Sequence, residues 1–404
     1  MRVTHVITRL IVGGAQENTI ASVLGLRQRP DLELRLIAGP TAGPEGSLEG
    51  LVAHLPDLLT VEPTLVRPVH PWKDVLALQR LKRLFLRHAP HIVHTHSGKA
   101  GILGRLAAAG AGVPIVVHTI HGPSFGSFQG ALANALFCNA ERYAARVTTH
   151  FVVVADAMKR QYLAAGIGRP GDYTRIFSGF NLQPFLSAQN DLQLRSKLGI
   201  GPEDIVIGKI ARLFKLKGHD DLFAVAPELV RAFPKIKFLL VGDGDWRGRF
   251  ETLAREQKLE QHFVFTGLVR PEAVAPLTGI MDIVVHLSSR EGLARALPQS
   301  LAAGKPVVAY DCDGANEVCL DNQTGFLVKP GDLPGLTDRI LHLARDASLR
   351  RRLGEQGCSF VENRFGIPQM VDALYGLYQA LMRDKQCSFK PEATASAPGP
   401  LPRS

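Results

Sequence analysis

No run of about 18 apolar residues free of charge occurs in the chain, so no segment is expected to cross a bilayer as a helix. The N-terminus, MRVTHVITRLIVGG, lacks the cleavage pattern of a signal peptide, and the expectation is a protein made and kept inside the cell. Cysteine is scarce: Cys138, Cys312, Cys319, Cys358 and Cys387 are odd in number, scattered and without paired metal spacing. Neither a disulfide framework nor a zinc site is suggested, and reduced thiols are expected. Acidic residues are in deficit, 37 against 47 Lys and Arg, for a formal net charge of +10. That balance favours an anionic partner, with a nucleotide-linked metabolite, an acidic lipid surface and nucleic acid as candidates. The basic residues are dispersed and no aromatic-interleaved basic platform accompanies them, which argues against nucleic acid. What remains is a chain of 404 residues, 46% hydrophobic and 21% charged, long enough for two domains of ordinary size.

The most informative stretch is Asp282 to Tyr310, DIVVHLSSREGLARALPQSLAAGKPVVAY. Ile283, Val284 and Val285 have no polar alternation, as in a strand buried on both faces of a parallel sheet. Ser288 to Gly292 interrupt the pattern. From Leu293 to Ala303 apolar residues recur at helical spacing until Gly304, with Pro298 placing regular helix a few residues after Leu293. Val307 to Ala309 supply the next strand and close a βαβ unit, whose ligand site belongs at the carboxyl end of its first strand. The amides of Gly292, Leu293, Ala294 and Arg295 would open the helix as a cradle for a phosphate or diphosphate. Glu291 beside such a cradle suits sugar hydroxyls, because an ionised carboxylate only accepts hydrogen bonds. Taken alone, Glu291 reads equally as a loop carboxylate at a helix start.

Earlier in the chain, strand Val3 to Ile7 leads to Gly13 and Gly14 and then a helix to about Gln28, an anion-tolerant corner or merely a tight connection. Strand Leu34 to Ala38 is followed by irregular connections over 41–70. Helix 72–88 interleaves Val75, Leu78, Leu81, Leu84 and Phe85 with Arg80, Lys82, Arg83 and Arg87, and so has a buried and a cationic face. It either covers the sheet or meets an anionic membrane. Strand His91 to His96 places His94 and His96 on one face, within reach of a metal, but no third or fourth ligand is evident. Pro114 to His121 is a strand ending at Gly122, followed by helix 130–146, strand 151–154 and helix 157–165.

Strand Ile205 to Ile210 runs into a loop carrying Arg212 and Lys217, two cations able to converge on a diphosphate or, failing that, solvated. Strand 238–241 enters Gly242-Asp243-Gly244, where Arg247 stands in place of the third glycine of a dinucleotide fingerprint. Strand 263–267 follows. Asp311-Cys312-Asp313 is a strand-end loop, Glu317 starts a helix, 324–328 is a turn and edge strand, and helices span 334–355 and 368–383. From Gln386 the chain is Pro-, Ser- and Ala-rich and expected to be disordered.

The Glu291-Gly292 pair with Gln299 eight residues after the Glu, the string His94-Thr95-His96-Ser97-x-Lys99-Ala100-Gly101-x-Leu103-Gly104-Arg105, and Arg212 with Lys217 together resemble family 4 glycosyltransferases of surface-polysaccharide assembly. The resemblance covers nearly all of residues 1–383. It implies an α/β GT-B fold, two Rossmann-like domains facing across a cleft: 1–182 on the acceptor side and 183–366 for the nucleotide-sugar, then a helix 367–385 crossing back and a tail 386–404. It also implies a retaining transfer from a UDP-linked sugar to a glycan or lipid-linked acceptor, in the cytoplasm or peripherally on the inner face of the plasma membrane. The nucleotide-sugar is then a co-substrate, with no tightly bound cofactor and no required metal. By the same resemblance, Glu291 and His121 contact the donor sugar and Arg212 and Lys217 the diphosphate. The Gly13-Gly14 loop faces the donor, the loop at Val269 lies along the base, and position 299 holds the ribose. Two departures stand out: Gln299 replaces a second Glu, keeping an acceptor oxygen without its charge, and Ala294 replaces a common Gly. Two rivals stay open, a nucleotide-sugar epimerase or phosphorylase of similar fold, which would turn over without an added acceptor, and a non-catalytic protein that keeps the fold.

Overall fold

The computed structural model describes residues 1–41, 46–55, 57–126 and 128–388, the last three by their backbone only. Among these residues the strands fall into two parallel sheets. The first holds β1 (Arg2–Ile7), β2 (Glu33–Ala38), β3 (Leu59–Val61), β4 (Ile92–His96), β5 (Ile115–Ile120), β6 (His150–Val153) and β7 (Tyr173–Arg175). Their order across the sheet is β3-β2-β1-β4-β5-β6-β7. The second holds β8 (Ile205–Ile210), β9 (Ile236–Val241), β10 (Phe263–Phe265), β11 (Ile283–His286), β12 (Val307–Tyr310) and β13 (Gly325–Val328), in the order β10-β9-β8-β11-β12-β13. In each sheet the chain starts near the middle, winds outward and then returns to the far side of its first strand. The reversal leaves a crevice at the carboxyl ends of β1 and β4 in one sheet and of β8 and β11 in the other.

Helices cover both faces, so the central strands are buried on both sides: every residue of β4, β5, β11 and β12 is buried. This is why those strands read as unbroken apolar runs. The helix Ile367–Ser388 leaves the second sheet's layer and packs on the helix Gly14–Leu26 of the first. Its Val371, Leu374 and Tyr378 join a core with Ile20, Val23 and Leu26. Each such side chain contributes roughly 1.5–3 kcal/mol by leaving water. An ion pair between Arg29 and Asp372 and a hydrogen bond from Tyr375 to Asp31 lie on its exposed edge. At the crossing, Phe180 pairs with Gly366 in parallel and donates its N–H to the Phe365 carbonyl at 3.0 Å.

Several elements differ from the sequence expectations. The 41–70 region contains β3, and β7 follows a short turn at 170–172; at three residues each, both are too short to show periodicity. Regular helix after Glu291 begins at Ala296, a few residues after Leu293 as expected, but residues 292–295 form an irregular turn and do not themselves open the helix. Glu317 ends a short 3-10 turn and starts no helix. Its carboxylate instead accepts the N–H groups of Asp156 at 2.9 Å and Ala157 at 3.0 Å, at the start of the helix Asp156–Ala164 in the other half. The expected helix 334–355 is two helices, Leu333–Arg345 and Ala347–Glu362, parted at Asp346, whose side chain caps the second by accepting from Leu349 N–H at 2.8 Å. The final helix runs to Ser388, past the expected start of the tail, and the rest of that tail lies outside the described residues. In the helix Pro71–His88, Leu81 and Phe85 are buried, but Val75 is exposed alongside Trp72, Leu76 and Leu86.

Candidate active site

The two loops that leave β8 and β11 are locked together by close contact. Gly218 has φ +68, and a Cβ there would lie 1.9 Å from the Leu287 carbonyl oxygen, so only glycine lets the β8 loop settle on the β11 exit. That docking sets Lys217 beside Glu291, where the ammonium donates to and ion-pairs with the carboxylate. Asp313, in the left-handed region at φ 50, accepts the backbone N–H of Glu291 at 2.6 Å and fixes the loop from the β12 side. A Cβ on Gly292 would fall 1.9 Å from the His121 carbonyl oxygen. The Glu291-Gly292 turn is thus pressed against the end of β5, and the two halves meet there with no room for a side chain.

Between them lies a cavity of about 330 Å³. Its walls bring together His121 and Gly14 from the first half with Arg212, Lys217, Glu291, Gly292, Leu293, Ala294 and Arg295 from the second. Gly13, Val269 and Gln299 do not line it: Gly13 precedes the helix that starts at Gly14, Val269 packs against the second core, and Gln299 sits one turn further along Ala296–Ala302. Four contributors escaped the sequence reading. Glu17 forms an ion pair with Arg295 across the halves, His286 and Ser178 reach the walls, and Asp313 orients Glu291. Glu17 carried only the signal of an acid in a first helical turn; nothing local names a partner 278 residues away.

The electrostatics favour an anion with hydroxyls beside it. Burial would raise the Glu291 pKa, but the Lys217 ammonium and the hydrogen bond it donates outweigh burial and hold the carboxyl below its usual range. It is therefore ionised and acceptor-only near neutral pH. Burial lowers His121 to about 4 and His286 to about 4, so both rings are neutral. Lys209, behind the site on β8, is buried without a hydrogen-bond partner for its amine and is pushed down to about 7 by burial and by Lys217.

His121 also lines a second, larger cavity of about 760 Å³, walled by the first half and by Arg290 of the second. Arg67, Lys99 and Arg290 supply cations to it, and Val69, Leu136 and Phe137 supply an apolar side. Of its apolar lining, Leu136 is 63% exposed; Leu132, one turn earlier on the helix Ala131–Ala145, is 87% exposed, and Trp72, two residues before the lining residue Asp74, is 82% exposed. No helix among the described residues is long and apolar enough to cross a membrane.

The pair His94 and His96 does have a third histidine, contrary to the sequence reading. Parallel register places His5 of β1 opposite His94, and one ring nitrogen from each of the three lies within 4.8 Å of the others. Each of their ring nitrogens already has a hydrogen-bond partner within the protein, so the cluster is satisfied as it stands.

Two facing Rossmann-like halves with a site at both strand-order reversals define the GT-B architecture. HepE from Anabaena, solved with UDP-glucose, superposes with a TM-score of 0.77 at 20% identity, covering 94% of this chain and 100% of that one. Two family models match in succession, the glycosyl transferase 4-like domain over residues 13–176 and glycosyl transferases group 1 over 190–359. The UDP-Gal:alpha-D-GlcNAc-diphosphoundecaprenol alpha-1,3-galactosyltransferase of Escherichia coli is 28% identical over 332 residues, 80% of this chain and 84% of the relative. The capsular polysaccharide biosynthesis glycosyltransferase CapM of Staphylococcus aureus is 23% identical over 332 residues, 79% and 84% of the two chains. The chain belongs to the family 4 glycosyltransferases of the GT-B fold.

Proposed function

We propose that this protein transfers a sugar from a UDP-linked donor to a lipid-linked glycan acceptor with retention of anomeric configuration, in the assembly of a cell-surface polysaccharide. The reading is carried by one cavity, walled by both halves, that gathers Arg212, Lys217, Glu291, His121 and the 292–295 turn. Arg212, Lys217 and the amides of that turn neutralise the diphosphate as it departs. Glu291 and His121 hold the sugar hydroxyls, Gln299 takes the ribose, the loop at Val269 lies along the base, and Gly13 and Gly14 close over the donor. In the resting protein Lys217 and Glu291 hold each other; donor binding gives Lys217 a phosphate and Glu291 a hydroxyl instead. The acceptor hydroxyl attacks from the face the diphosphate leaves, and a leaving phosphate oxygen takes its proton, so no protein nucleophile and no metal are required.

The acceptor enters through the larger cavity, where cations suit a diphosphate and the apolar side suits a lipid. The helix Pro71–His88, with exposed Trp72 and Val75 among Lys and Arg residues, rests on an anionic membrane at the cytoplasmic side. In this scheme residues 1–182 form the acceptor half, 183–366 the donor half, and the last helix ties them. The relatives support donor and acceptor class: one is named for UDP-galactose and a diphosphoundecaprenol acceptor, another for capsular polysaccharide.

A thermal-shift panel tests the donor. A UDP-sugar at a hundredfold excess over its Kd should stabilise the protein by about 2.7 kcal/mol. Stabilisation by NAD and by no nucleotide-sugar would overturn the proposal.

A further inference from the structure

One hydrogen-bonded file of side chains runs through the middle of the first sheet and ends at His121. The Tyr378 hydroxyl, on the crossing helix Ile367–Ser388, lies 3.3 Å from His5 Nε2. His5 Nδ1 lies 2.9 Å from His96 Nε2, and His96 Nδ1 lies 3.1 Å from His121 Nε2. On its other side the same hydroxyl meets His94 Nδ1 at 2.5 Å, and His94 Nε2 meets the Thr119 hydroxyl at 2.6 Å. Tyr378, His5 and His94 are fully buried, and His96 nearly so.

We propose that Tyr378, acting through His5 and His96, is a positioning residue that decides which nitrogen of His121 carries the proton. The inference rests on the assignment of His121 to the donor sugar made above.

A neutral imidazole has one N–H and one lone pair, so in a file of them every ring donates in the same direction. Burial keeps His5, His94, His96 and His121 neutral at ordinary pH. The file therefore has two states only. Either His94 donates to the tyrosine oxygen, Tyr378 donates to His5, and the sense continues until His121 bears its proton on Nδ1. Or each bond is reversed, and His121 bears it on Nε2 and gives it to His96. Nε2 is occupied by His96 in both states, which leaves Nδ1 as the nitrogen free to meet a ligand, as a donor in the first state and an acceptor in the second. Tyr378 is the one member with a single O–H between two rings, so it must donate to one and accept from the other, coupling the sense of both arms. Without the hydroxyl, His5 Nε2 loses its partner in either tautomer, and the bias on His121 disappears. Reversing one bond of such a buried network alone strands a polar atom, so its members change sense together or not at all.

The deciding variant is Tyr378→Phe, which keeps the ring packing and removes one oxygen; His96→Asn cuts the file next to His121. Long-range proton–nitrogen spectra of histidine-labelled protein, assigned with His121→Asn, read the tautomer directly without substrate. The expected result is one tautomer of His121 in the wild type and both in Tyr378→Phe and His96→Asn. Sugar transfer then falls by about two- to tenfold, the smaller figure being that for an even mixture. A His121 spectrum unchanged by Tyr378→Phe, or already mixed in the wild type, overturns the proposal. Failure of the sugar-transfer reading shows separately, as a wild-type protein that turns over no nucleotide-sugar while the spectra still report the file.

Discussion

The two sheets share a winding order and differ in what fills their centres. The second is held by aromatic stacking: Phe250, Phe223, Phe263 and Phe238 stand in successive contact, with centroids 5.2, 4.2 and 4.6 Å apart. The first carries a linked polar cluster, with His5, His94, His96 and His118 all buried on adjacent strands and the ion pair Arg105–Glu141 fully buried at 2.6 Å, whereas the second buries Lys209 and, beside its aromatic stack, His219. An apolar centre needs only volume, whereas a polar centre needs every partner present and correctly oriented. The first half has thus exchanged tolerance for specification, and its specified groups lead to the site at His121.

The comparison is most severely tested at the buried ion pair. Glu141→Ala should cost about 3–5 kcal/mol in urea unfolding, because it strands Arg105 without charge compensation. Phe263→Ala should cost about the same through a cavity, but Phe263→Leu much less, whereas no neutral replacement of Glu141 alone should be mild. Next comes the donor half's working charge: Arg212→Ala should lower transfer by about 10²–10³ in kcat, with the melting temperature unchanged.

The pH dependence separates the centres further. His5 is lowered to about 3 and His121 to about 4, and His94, His96 and His118 are lowered well below 6.5, all chiefly by burial. Below pH 6.5 the unfolded chain binds protons that the folded one refuses, so stability rises with pH there. The melting temperature should therefore fall as pH drops from 6.5 towards 4, with hydrogen exchange rising first in the sheet β1 to β7. Lys209 places its own signature in the other half: lowered from 10.5 to about 7 by burial, it adds stability as pH rises from 7 to 10.5. Lys209→Met should flatten that slope in thermal scans. The smallest effect, about 1 kcal/mol, is expected for Glu317→Ala, which removes acceptors for the first turn of Asp156–Ala164.

The fold was legible where strands are long and apolar, as at Ile283 to Val285 and Ile205 to Ile210. It was illegible in β3 and β7, where three residues cannot display a period and the neighbouring strand supplies the order. The site divides in the same way. Arg212, Lys217 and Glu291 lie on loops whose sequence advertises them, and the structure gathers them around one cavity. Glu17, Asp313 and His5 acquire meaning only from partners brought close by the fold, and the apolar residue Val75 was read as buried when it faces out. Spacing reports which face a residue shares with its neighbours; it does not report what is across from that face.

The chain passes between the halves twice, and the two passages lie side by side, with Phe180 bonded to Phe365 and paired with Gly366. The second half is therefore anchored on the first at both of its ends, through Phe180 where the chain enters it and through Val371, Leu374 and Tyr378 after the chain leaves it.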